Sequence, residues 1–134
     1  MSLQTFNPSG WKTPKGYSNA VVAPPGAKLV FLAGQVAWDA NEQLVGAGDF
    51  ARQFEQALSN VVAALRAAGG EPAHLATLTI FVVDKQQYIA ATKDLGAIWK
   101  RIVGRHYPAM ALVQVAALLE EGALVEIQGV AAIA

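Results

Sequence analysis

A single ionisable residue stands inside the apolar run "GALVEIQGV" (122–130): Glu126, flanked by Val125 and Ile127. The preceding apolar run, "PAMALVQVAAL" (108–118), carries an amide at Gln114, and Gln128 follows two residues after Glu126. A carboxyl group held partly out of water beside amide groups is suited to passing protons to and from a water molecule or a substrate. Two structural roles fit the same residues: an ion pair between Glu126 and an Arg or Lys of another copy, and simple cross-strand hydrogen bonding by the two glutamines. Tyr17 follows a proline- and glycine-broken loop, where it is either an aromatic at the edge of the core or a phenol presented to a ligand; Trp38, beside a turn, reads the same two ways. Thr92 falls within a helical segment, as a back-bonded surface hydroxyl or a ligand contact. Lys100, Arg101, Arg105 and His106 form the one basic cluster. It lies near a helix C-terminus, where cations complement the dipole, and it could also receive an anion.

Several chemistries are excluded by what is missing. The chain has no cysteine, so disulfides, thiolate nucleophiles and thiolate metal sites are ruled out. Two histidines, His74 and His106, are too few for a catalytic zinc centre without carboxylate help, and no metal site is expected. The formal net charge is zero, which gives no field to attract nucleic acid or an anionic membrane. "GAGDFA" (46–51) has the spacing of a dinucleotide-binding turn, but it lacks the core strand and repeated βα units that such a site needs, and no cofactor is expected. The N-terminal stretch has no apolar signal core and no segment is long enough to span a bilayer, so the expected location is cytoplasmic.

These residues are positioned by a chain of 134 residues, read as one domain over 1–134. Strands are expected at 3–7, 17–23, 28–37, 74–84, 110–119 and 123–133, the last two joined by the "EEG" turn at 120–122. Asp49 caps a helix whose stripe is Phe50, Phe54, Leu58, Val61, Leu65 and Ala68, and "GG" at 69–70 ends it. A second helix is expected from about 87 to 103, with Tyr88, Leu95, Ile98, Trp99 and Ile102 inward and Gly104 as its stop. The order is βββαβαββ, an α+β architecture whose two helices cover one face of one mixed sheet.

The strands 75–83 and 123–131 are apolar on both faces, and hydrophobic residues make up 54% of the chain against 15% charged. Two helices cover one face only. The second face must meet something, and another copy of the same chain is the simplest partner.

"GYSNAVVA…KLVFLAGQVAWD" (16–39), "QALSNVVAALRAAGG" (56–70), "ATLTIFVVD" (76–84) and "PAMALVQVAAL…GALVEIQGVA" (108–131) together resemble the RidA/YjgF family, the reactive-intermediate deaminases also called L-PSP endoribonucleases. The resemblance runs nearly the whole chain. It implies a six-stranded, chorismate-mutase-like sheet with two helices, a homotrimer, and small-molecule clefts between subunits. It further implies hydrolysis of enamines or imines to a carbonyl compound and ammonia, with Glu126 as the catalytic carboxylate and Tyr17 and Gly34 lining the cleft. A helix-borne Asn of the family falls at Thr92. An Arg that clamps the substrate carboxylate falls at Met110, and a bidentate charge-assisted contact is lost with it. Met110 and Leu112 then imply a more apolar pocket, with Gln114 nearby and Arg105 or His106 within reach of a carboxylate placed elsewhere. The alternative is a trimer that binds a small molecule without turning it over. The ribonuclease activity suggested by one family label finds no basic groove here.

Overall fold

A computed structural model describes residues 2–134. Six strands form: β1 (Gln4–Phe6), β2 (Ala20–Val22), β3 (Lys28–Gln35), β4 (Leu75–Val82), β5 (Ala109–Gln114) and β6 (Val125–Ile133). Helices α1 (Phe50–Ala67), α2 (Lys85–Ala90) and α3 (Thr92–Ile102) complete the α+β fold. The strands do not join into one sheet. β1 and β2 pair with each other alone, and the other four form a mixed sheet in the order β3-β6-β4-β5. β6 runs antiparallel to both β3 and β4, and β5 lies parallel to β4.

The expected hairpin between the last two strands is absent. β4 lies between β5 and β6, and residues 115–124 carry the chain across the end of β4, where Val115 donates to Val82 and Val83 donates to Leu124. The physical reason lies in burial. β4 and β6 carry the residues that fill the core, Leu75, Leu78 and Val82 with Val125, Ile127 and Ala131, and take the two central positions, whereas β5 has exposed residues suited to an edge.

The helix starts as its sequence demands. The Asp49 side chain accepts from the Arg52 N–H. Eight residues of α1 are buried, among them Phe50, Phe54, Leu58, Val61 and Leu65 of the expected stripe, packed on β6 and β3. Gly69 takes φ +92°, which lets the chain turn back while the Gly70 N–H closes on the Leu65 carbonyl. The second helical segment is broken at Ala91 (φ −99°, ψ 3°) into α2 and α3, with Asp84 capping the first piece. The Thr92 hydroxyl donates to the Ile89 carbonyl at that break. Gly104, at φ +89°, terminates α3.

Leu78, Ile80 and Val82 of β4, with Val125 and Ile127 of β6, face the helices and form the core with α1 and with Leu95, Ile98 and Trp99 of α3. The opposite face is open. Registers Thr79–Ala111, Phe81–Val113 and Phe81–Glu126 place these residues on it, and β3 adds Leu29 (58% exposed) and Phe31 (76% exposed). Gln53 binds the loops to this scaffold. Fully buried on α1, its amide donates to the Gly46 and Gly122 carbonyls and accepts from the Leu124 N–H.

Candidate functional site

The residues singled out in the sequence divide into two groups, on opposite sides of the sheet. The first lines a cavity of about 620 Å³ between β5, α3 and the segment before β2. Tyr17, Thr92, Met110 and Leu112 all contribute to its wall. Met110 and Leu112 pair with Leu78 and Ile80, so both point to the helix side of the sheet and also pack against the core. Tyr17, 42% exposed, is held beside β5 by its neighbour: the buried Ser18 bridges to Ala109, and its hydroxyl donates to the Tyr107 carbonyl at 2.6 Å.

Aromatic rings dominate the rest of the wall. Trp99 and Tyr107 stack with centroids 6.3 Å apart and planes 11° apart, and the Trp99 indole N–H donates to the His106 carbonyl at 3.0 Å. Phe54 and Tyr88, with Ile80 and Leu95, add to the apolar lining. The charged residues of the wall are Lys15 and Lys100. Sequence reasoning left Lys15 out and placed Lys100 in a basic cluster near a helix C-terminus, read as a solvated helix end or an anion site. A signal existed: Thr92, Gly96 and Lys100 recur at i, i+4 and i+8 of one helix, which places them on one face, and all three line the cavity.

The second group lies on the open face. Glu126 is half-buried on β6 opposite Phe81. Its carboxylate sits over Gly34 of β3, at an irregularity in the pairing between Leu32 and Gln35. A Cβ placed on Gly34 would fall 2.1 Å from Glu126 Oε2 and 3.0 Å from its Cδ. The missing side chain at residue 34 is therefore the space that the carboxylate occupies.

Four residues join neither group. Gln114 ends β5, and its Oε1 accepts from the Lys85 N–H at 2.9 Å, fixing the start of α2. With β4 between β5 and β6, it does not sit beside Gln128. Arg105 follows Gly104 in the loop after α3 and does not line the cavity, while the His106 ring closes on the Leu75 carbonyl at 2.6 Å and so serves the fold. Trp38 does not line the cavity and is bridged to Leu44. Among the described residues no group of three or more His, Asp or Glu side chains could hold a metal ion, and no helix is long and apolar enough to cross a membrane.

An α+β domain with one open sheet face and a cleft at its edge strand defines a class, and comparison with known proteins identifies it. The family model described as Endoribonuclease L-PSP matches residues 10–133. The chain is 34% identical over 119 residues to Protein DfrA of Myxococcus xanthus, covering 86% of this chain and 83% of that one. It is 30% identical over 115 residues to the human 2-iminobutanoate/2-iminopropanoate deaminase, covering 86% and 78%. Among solved structures, a conserved Rid-family protein, YyfB of Yersinia pestis, superposes with a TM-score of 0.84 at 32% identity over 99% of this chain and 100% of that one. The chain belongs to the RidA/YjgF family.

Proposed function

We propose that this protein hydrolyses an enamine or imine to a carbonyl compound and ammonia, in clefts assembled between the subunits of a homotrimer. The observation that carries the proposal is the division of the site. Glu126 over Gly34 lies on the open, apolar sheet face, and the cavity of Tyr17, Thr92, Met110 and Leu112 lies on the helix side at the exposed edge strand. One chain cannot bring these together, whereas the open face of one copy laid against the β5 edge of the next can. Burial of Leu29, Phe31 and Val113 in that contact supplies the driving force.

In such a cleft the Glu126 carboxylate takes a proton from water as the oxygen bonds to the imine carbon. That proton passes to nitrogen, giving the carbinolamine; the carboxylate then carries the hydroxyl proton to the amino group as the C–N bond breaks, the carbonyl forms and ammonia leaves. The human relative's name supports this reaction class. Met110 in place of a cationic clamp favours a substrate other than the small 2-imino acids, since a thioether offers no charge and only a weak acceptor.

Sedimentation equilibrium is expected to return the mass of three 14.1 kDa chains. Glu126→Gln is expected to keep that mass while lowering release of carbonyl product from freshly generated imines by about 10²-fold. A well-behaved monomer refutes the assembly, and unchanged turnover removes Glu126 from the chemistry. One feature of the sequence favours a second reading, a trimer that binds without turnover: Met110 and Thr92 stand where the family resemblance implies Arg and Asn. Absence of product release across an imine panel by the unaltered protein would establish that reading instead.

A further inference from the structure

The cavity has a charge pattern that the hydrolysis itself does not require. Its apolar wall is aromatic, with the parallel Trp99–Tyr107 pair, Phe54 and Tyr88. Its formal charges are two ammonium groups, Lys15 and Lys100, both on exposed residues, while no carboxylate lines it. The three ion pairs among the described residues, Arg52–Glu55, Arg66–Glu71 and Arg101–Glu55, engage neither lysine. The two lysines come from different elements, the loop before Tyr17 and the last turn of α3, so their convergence on one cavity is a product of the fold. About 620 Å³ lies within the roughly 300–1,000 Å³ of sites that enclose drug-sized ligands, more than a four-carbon imino acid needs. Gly96 adds room, since a Cβ there would meet nothing within 4 Å.

We infer that this cleft takes an amphipathic anion, an arylalkyl or similarly bulky carboxylate. Its apolar tail packs against the Trp99–Tyr107 wall, and its carboxylate is held at the rim by Lys100 and Lys15. The two lysines thus replace, from another direction, the clamp that Met110 removes. A point charge on a flexible stem accepts a carboxylate in several geometries, which suits a larger and more variable ligand than a planar guanidinium fork does. The inference deepens the reading of the same cleft by naming the shape and charge of its ligand, yet it concerns binding alone.

Stable acids with no C=N bond therefore test it independently of turnover. Calorimetric titration of the full-length protein would use 3-phenylpropanoate, its neutral amide 3-phenylpropanamide, and butanoate. The expected result is at least about tenfold tighter binding of 3-phenylpropanoate than of either control, a gap of about 1.4 kcal/mol. The double variant Lys15→Gln, Lys100→Gln is expected to lose that preference while its affinity for the amide stays within about twofold, and raising salt is expected to weaken only the carboxylate. Lys100→Arg in the Lys15→Gln background is expected to restore part of it. Equal binding of acid and amide, a preference that survives in the double variant, butanoate binding as tightly as 3-phenylpropanoate, or no binding of any probe would each overturn the inference. Because no imine is present, these results are separable from the fate of Glu126→Gln turnover.

Discussion

Gly34→Ala isolates the placement of the Glu126 carboxylate from its chemistry. The new methyl carbon would start 2.1 Å from Oε2, whereas an ordinary contact needs about 3.5 Å, so the oxygen must retreat by roughly 1 Å or more. The atom in the way is the far end of a flexible side chain, not backbone, so the retreat is cheap. An off-rotamer carboxylate costs on the order of 0.5–1.5 kcal/mol, and replacing a strand glycine by alanine returns a similar amount. Gly34 lies outside the positive-φ region, so alanine meets no backbone strain. The melting temperature is therefore expected to move by no more than about 3 °C. Catalysis is expected to respond very differently, because a reacting group displaced by about 1 Å can lose on the order of 10²-fold in rate. The assay is steady-state release of carbonyl product from a freshly generated imine, read beside calorimetric melting and sedimentation mass. A loss in kcat with the melting temperature and mass preserved supports the role given to Glu126 and Gly34. Turnover unchanged within about twofold would refute it, since the carboxylate cannot remain where it is with a methyl group in its place.

Gln53→Leu is expected to destabilise the fold by about 3 kcal/mol, because the Leu124 N–H and the Gly46 and Gly122 carbonyls, beside the buried Gln53 amide, lose their partners at once. Urea denaturation and a fall in melting temperature of about 10 °C would register it, and a change below about 0.5 kcal/mol would show that water replaces the amide freely. Met110→Arg introduces a bidentate carboxylate clamp into the cavity wall and is expected to raise the kcat/KM ratio for 2-iminobutanoate over an aromatic imino acid by about tenfold. An unchanged ratio at unchanged mass would show that residue 110 does not read the carboxylate.

Local signals in the sequence settled much of this protein. Asp49, the stripe from Phe50 to Leu65 and the glycines after it define α1, because capping and 3.6-residue periodicity involve groups only a few residues apart. The α+β class and an apolar second face followed from counting which positions a helix layer could cover. Met110, where the family resemblance implies Arg, was visible as a residue type. Sheet order was not, because pairing depends on which strands supply the core under the helices, and that is decided by burial among residues far apart in sequence. Once β4 lies between β5 and β6, Gln114 becomes the anchor of α2, no longer a neighbour of Gln128. Only the tertiary structure decided that Glu126 and the Tyr17–Met110 cavity occupy opposite faces, because alternation along a strand gives relative sides and the register across β4 fixes which side meets the helices. The same holds for Lys15, which lines the cavity from a loop that the buried Ser18 ties to the start of β5.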